Sequence, residues 1–212
     1  MFSEFLKSNT TYPTELRDFF EWHKGVKYFG FWAIEVTDLE CLEKIGRYQK
    51  HLAHRLHPDY ARQPHITLAT SGLMSNEYFH TDLISKKIEQ ISKKNLHSFT
   101  LQLSHCDSFS TCPYLKVYDA FSSLTTIRKC LNEESKENDN PAQYTPHITL
   151  GFYKYAYKTA DIVNEISELN IDDREFVVRE IVFAQYETKD VQGPYKVLHR
   201  IKLDDTKDIS SL

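Results

Sequence analysis

The segment Pro64–Leu68 reads Pro-His-Ile-Thr-Leu, and the same five residues return at Pro146–Leu150. A shift of 82 residues lays His65 on His147, and it also lays Trp32–Val36 on Tyr114–Tyr118. One shift that aligns a motif and the segment before it implies two halves of related structure, about 28–106 and 113–203. Two copies at so long a period do not make a solenoid. The expectation is one bilobal domain over 1–212, with lobes related by a pseudo-twofold axis.

Local patterns fill in the halves. Pro13–Lys24 opens with proline and carries apolar residues at helical spacing, which predicts an N-terminal helix over 13–24. Tyr28–Val36 is aromatic and β-branched and reads as a buried strand. Asp38 is a candidate N-cap for a helix over Leu39–His57, closed by Pro58. After the first motif strand, His65–Ala69, an amphipathic helix is expected over Thr81–Lys94 and a strand over His97–Cys106. The second half repeats the order: strand Tyr114–Tyr118, helix Ser122–Glu133, polar loop Lys136–Gln143, motif strand His147–Gly151, helix Thr159–Leu169. Arg174–Glu187 and Tyr195–Leu203 close the chain as two strands, with the turn Gln192–Pro194 between them.

Side chains alternate along a strand, so His65, Thr67 and Ala69 share one face while Ile66 and Leu68 share the other. The same holds for His147, Thr149 and Gly151 against Ile148 and Leu150. The apolar pair can bury under helices and leave an imidazole and a hydroxyl on the opposite face. The small residues Ala69 and Gly151 are expected to keep that face open. One such strand is most simply a structural one. Two, at matched positions of matched halves, bring two histidines and two threonines together across a cleft.

That set suits a phosphodiester. One neutral imidazole takes a proton from the attacking oxygen, and the other, protonated, gives one to the leaving oxygen; each role is worth ~10²–10⁴ in rate. Histidine's unperturbed pKa of about 6.5 lets the two rings differ in charge at working pH. The hydroxyls can donate to the non-bridging oxygens, where negative charge grows. This chemistry requires no metal and no cofactor. Which histidine is base and which is acid does not follow from the sequence.

The paired Pro-His-Ile-Thr-Leu segments resemble the signature of the 2H phosphoesterase superfamily, which is named for two His-x-Thr/Ser-x motifs. That group includes 2'-5' RNA ligases and RNA 2',3'-cyclic phosphodiesterases. The resemblance runs from about Tyr28 to Leu203. It implies an α+β, bilobal fold with two mostly antiparallel sheets lining a central groove and helices outside. It also implies His65 and His147 as the acid–base pair, with Thr67 and Thr149 on the phosphate. The expected activity is hydrolysis of a 2',3'-cyclic phosphate or a 2'-5' linkage in a nucleotide or short RNA. A cyclic or 2'-5'-linked signalling oligonucleotide is the alternative substrate, and a non-catalytic nucleotide- or RNA-binding module the alternative function. The helix before Tyr28 has no counterpart in the resemblance.

Four further residues are candidate substrate contacts. Tyr144, Phe152 and Trp32 offer rings on which bases stack, and Arg62, just before the first motif, can reach a phosphate. His51, His54 and His57 at i, i+3 and i+6 hint at a metal, but their span is nearly two turns with no carboxylate in the run. No Walker A, Gly-x-Ser-x-Gly or Gly-x-Gly-x-x-Gly segment is present, so triphosphate hydrolysis and serine-hydrolase chemistry have no support.

Bulk properties bound the partners. A net charge of -4 argues against a protein that coats long double-stranded nucleic acid, whose affinity rests on many basic contacts to phosphates. No apolar stretch approaches the ~20 residues of a membrane span, and the first residues lack the pattern of a secretory signal. Cys41, Cys106, Cys112 and Cys130 form no Cys-x-x-Cys pair. The expectation is a cytoplasmic monomer with reduced thiols.

Overall fold

Strand-rich apolar runs separated by amphipathic segments give, in chain order, α1 (Phe20–His23), β1 (Tyr28–Glu35), α2 (Leu39–His51), β2 (His65–Leu73), α3 (Thr81–Ser92), β3 (Phe99–Ser108), β4 (Pro113–Tyr118), α4 (Ser123–Asn132), β5 (His147–Thr149), α5 (Thr159–Ser167), β6 (Arg174–Val178), β7 (Glu180–Glu187) and β8 (Tyr195–Lys202). This computed structural model describes residues 2–75, 81–132, 144–169 and 172–204. The expected polar loop Lys136–Gln143 lies outside the described residues.

The strands form two four-stranded antiparallel sheets, ordered β2-β1-β7-β8 and β5-β4-β3-β6. The fold is therefore α+β, with the two motif strands, β2 and β5, at matching edges. The halves exchange strands: the first lends β3 to the second sheet, where it pairs with β4, and the second lends β7 and β8 to the first, where β7 pairs with β1. Arg174–Glu187, expected as one strand, is two. The ladder breaks at Arg179, so β6 joins the second sheet and β7 the first.

Ile66, Leu68, Ile148 and Leu150 are all buried in one core cluster. Their neighbours include Ile45 and Tyr48 of α2, Leu124 and Ile127 of α4, and Ile162 and Ile166 of α5. Alternation thus turns the apolar face of both motifs into a shared core and leaves the histidine face outside it. Asp38 caps α2 as expected, its side chain accepting from Cys41 N at 3.0 Å.

Two helices are shorter than their periodicity implies, because tertiary hydrogen bonds claim the backbone. The segment over 13–24 keeps one helical turn, α1, which ends at Lys24 in the left-handed region. Upstream, the chain is laid out as a strap beside the segment that follows β5: Thr11 N donates to Tyr157 O at 2.8 Å and Thr14 N to Tyr153 O at 2.9 Å. The helix expected to reach His57 stops at His51. Beyond it, Leu56 bridges to Tyr153 and His57 N donates to Phe152 O at 2.9 Å. That detour fixes the ground between the two motifs.

Candidate active site

Each motif proline precedes its strand, and the residue before it sets the histidine. His65 Nδ1 lies 2.8 Å from Gln63 O, and His147 Nδ1 lies 2.7 Å from Thr145 O. A carbonyl can only accept, so both rings carry their proton on Nδ1 when neutral, and both leave Nε2 for chemistry. Two independent strands arrive at one tautomer by the same i−2 contact.

Aromatic rings then fix the imidazole planes. His65 is flanked by Phe31, at 5.4 Å between centroids, and by Tyr195, at 5.2 Å. His147 is flanked by Phe109 at 5.0 Å and Tyr114 at 5.4 Å, and those two rings stack on each other at 4.2 Å. Tyr195 is held in turn, its hydroxyl donating to Glu35 at 3.1 Å.

Burial among these rings pushes the His65 pKa down from 6.5 to about 4. The Gln63 carbonyl opposes that shift, while the positive charges of Arg62 and of a protonated His147 add to it. His147 is lowered too, again by burial, with the Thr145 carbonyl opposing. In the free protein both rings are therefore neutral at pH 7.

The motif strands are also tied directly. Tyr144 reaches from just before β5 to β2, where its hydroxyl donates to Thr67 O at 2.8 Å. Arg128 lies over the Tyr144 ring, 3.6 Å from its centroid. Behind Thr149 sits Cys112, its thiol within hydrogen-bonding reach of both Thr111 and Thr149 and pushed up to about 11 by burial. It is a protonated neighbour of the hydroxyl at neutral pH.

A family model described as the 2'-5' RNA ligase superfamily matches residues 36–190, a span that holds both motifs. The chain belongs to the 2'-5' RNA ligase superfamily. No curated protein matches its sequence. Among solved structures it is similar to LigT of E. coli complexed with 3'-AMP, at 19% identity and a TM-score of 0.55, over 84% of this chain and 99% of that one. It is also similar to TT0787 of Thermus thermophilus, at 15% identity and a TM-score of 0.57, over 84% and 100% of the two chains. A structure described as a phosphoesterase gives 18% identity and a TM-score of 0.57, over 83% and 98%. At such identities the likeness speaks for the fold, which is that of the 2H phosphoesterases.

The remaining expected contacts of this superfamily member divide. Arg62 is beside His65: its Nε donates to Gly193 O at 3.0 Å, Nη2 donates to Asp190 O at 3.2 Å, and the guanidinium lies 4.1 Å over the Tyr186 ring. Phe152 packs edge-on against Tyr60, at 5.7 Å. Tyr144 serves as the tie described above, with Arg128 over its ring, rather than as an open stacking surface. Trp32 is not in the site. It is 1% exposed in the core with Ile34, while Phe31 and Ala33 occupy the histidine face.

The two halves differ in register. Glu35 stands opposite His65, and Lys116 stands opposite His147, so the second half holds one more residue between the paired strands. Ala33, opposite Thr67, is thus the counterpart of Tyr114, opposite Thr149. A one-residue slip puts Trp32 on the other face. Tyr114 takes the face that Ala33 takes in the first half, and Phe109 and Tyr195 carry no local signal in the sequence. Ala69 and Gly151 do not hold the face open either. Both are buried, and Gly151, at φ 145, would bring a Cβ to 3.0 Å from Leu56.

The three histidines considered for metal diverge. His51 and His54 meet Glu165 of α5, His54 Nε2 at 3.0 Å from its carboxylate. His57 instead bonds through Nε2 to Thr14 O at 2.8 Å. Among the described residues no group of three or more His, Cys, Asp or Glu is arranged to hold a metal ion, and no helix is long and apolar enough to cross a membrane. All four cysteines are free.

Proposed function

We propose that this chain is a metal-independent phosphodiesterase that hydrolyses a 2',3'-cyclic phosphate or a 2'-5' linkage of a nucleotide or short RNA. The observation that carries the reading is the matched pair of Nδ1 contacts, which presents two Nε2 atoms from opposing strands.

In this mechanism one neutral Nε2 takes a proton from water as its oxygen attacks phosphorus. The P–O2' or P–O3' bond breaks, and the other ring, protonated on Nε2, gives its proton to the leaving oxygen. Thr67 and Thr149 donate to the non-bridging oxygens. With both rings neutral in the free protein, the arriving phosphate supplies the negative charge that lets one of them hold a proton. Arg62, which donates to the main-chain oxygens of Gly193 and Asp190, offers its guanidinium beside His65 to the same phosphate. Bound 3'-AMP and NADP+ in the E. coli LigT structures agree with a nucleotide ligand.

The test is hydrolysis of a 2',3'-cyclic nucleotide with EDTA present. His65→Ala and His147→Ala are each expected to lose ~10²–10⁴ in kcat, and the double variant little more than either single one, since the two act as a unit. Full activity in either single variant would remove the two-histidine mechanism.

A further inference from the structure

The N-terminal strap lies outside the matched family span, residues 36–190, and it brings one aromatic ring to the histidine face of the first sheet. From His65 a line of rings runs along that face. Phe31 is 5.4 Å from His65, Tyr186 is 5.8 Å from Phe31, Phe29 is 5.5 Å from Tyr186, and Trp22 of α1 is 5.4 Å from Phe29. The Tyr186–Phe29 and Phe29–Trp22 pairs are each tilted by 36–37°. Phe31 is buried, Phe29 and Tyr186 are half-buried, and Trp22 is 46% exposed. The wall therefore opens progressively away from the histidine and ends in the largest, most accessible ring.

The strap holds Trp22 rigidly, as a binding platform requires. On one side it is bonded to the segment after β5, as described above. On the other, Thr188 takes both ends of its return, donating through its hydroxyl to Val26 O at 2.7 Å and through its amide to Lys27 O at 3.0 Å. Between these anchors α1 is clipped by buried His23, whose Nε2 bonds Asp18 while Nδ1 accepts from Gly25 N at 3.1 Å. Trp22 thus presents an accessible ring, 46% exposed, from an anchored turn.

We infer that Trp22, with Phe29, forms a base-stacking subsite for a nucleotide beyond the one at the scissile phosphate, so that the chain favours single-stranded RNA of two or more nucleotides over a mononucleotide. The occupant follows from the continuity of the wall with His65 and from Arg62, whose guanidinium over Tyr186 sets a positive charge between the histidine and the outer rings. Alternating rings and a cation are what a single strand with stacked bases and anionic linkages needs. The inference rests on the phosphodiesterase reading for its orientation, but not for its detection.

The experiment compares adenosine 2',3'-cyclic phosphate with a triadenylate ending in the same cyclic phosphate. Trp22→Ala is expected to leave kcat/KM on the mononucleotide unchanged and to lower it on the trinucleotide by roughly fivefold to a hundredfold, the span one stacked base is worth. Trp22→Phe is expected to fall between. Equal loss on both substrates, or loss on neither, overturns the subsite. Tryptophan fluorescence reads binding without turnover, because the second of the two tryptophans, Trp32, is 1% exposed. Triadenylate should quench wild-type emission and leave that of Trp22→Phe unchanged. If neither substrate is hydrolysed, the phosphodiesterase reading fails while quenching still supports the subsite; no quenching overturns the subsite whatever the turnover.

Discussion

Tyr144 donates its phenolic hydrogen bond to the main-chain oxygen of Thr67, so a residue three positions before one histidine grips the strand of the other. The contact reaches from the segment before β5 to β2 and ties the two motif strands. Such a bond is worth about 1 kcal/mol net, and its loss leaves an acceptor partly buried. Catalysis is the more sensitive readout, since a misplacement of about 1 Å can cost ~10²-fold. Tyr144→Phe is expected to lower stability by about 1 kcal/mol in urea and to lower kcat by at least about tenfold. An unchanged kcat would mean that the strands keep their spacing without the tie.

Histidine burial predicts how stability responds to acid. The folded His65 pKa, about 4, lies below its ordinary 6.5. Between those values the unfolded chain binds the proton and the folded chain does not, so the contribution of His65 to stability falls as pH drops and is fully lost below 4. The full displacement corresponds to ~3 kcal/mol, and the ring's open edge reduces it to about 2 kcal/mol. His147 is lowered in the same direction and adds to the slope. Urea midpoints at pH 7 and pH 4.5 check this. His65→Gln should lose less stability over that interval than the wild type, and parallel behaviour of the two would disprove the assignment.

The readable parts of the sequence were the ones governed by local periodicity. Alternation in Pro-His-Ile-Thr-Leu placed Ile66, Leu68, Ile148 and Leu150 in the core and the histidines opposite, and the order of elements followed from the same patterns. What could not be read was set by partners distant in the chain. Nothing near β3 says that it joins β4 and β6, or that Arg179 divides two sheets. The hydrogen bonds that strip residues 52–57 from α2 come from Phe152 and Tyr153, about a hundred residues away. Trp32 is a candidate for its ring alone, and the face it takes follows from the pairing of β1 with β2 and β7, which the sequence does not show. Register between strands, unlike alternation within one, depends on the length of the connection between them.

Gly151 links that distant ordering to the second motif. It follows Leu150 directly, adopts φ 145, and lies against Leu56 so closely that a Cβ would meet the leucine side chain at 3.0 Å. The conformation is one that only glycine adopts at ease, and the close approach is what lets the chain after α2 pair beside Tyr153. Gly151→Ala therefore meets backbone strain of ~1–3 kcal/mol together with pressure on Leu56, and the backbone relieves both by moving the end of β5. Ala69, the matched position in the first motif, has ordinary extended backbone in β2, so Ala69→Gly tests the opposite half without such strain. Gly151→Ala is expected to destabilise by about 2 kcal/mol and to lower kcat at least tenfold, because Thr149 and His147 shift with the strand. Ala69→Gly should cost about 1 kcal/mol with kcat nearly unchanged. Urea unfolding and steady-state kinetics on the cyclic nucleotide measure both, and an active, stable Gly151→Ala would show that the Leu56 contact does not hold the motif in place.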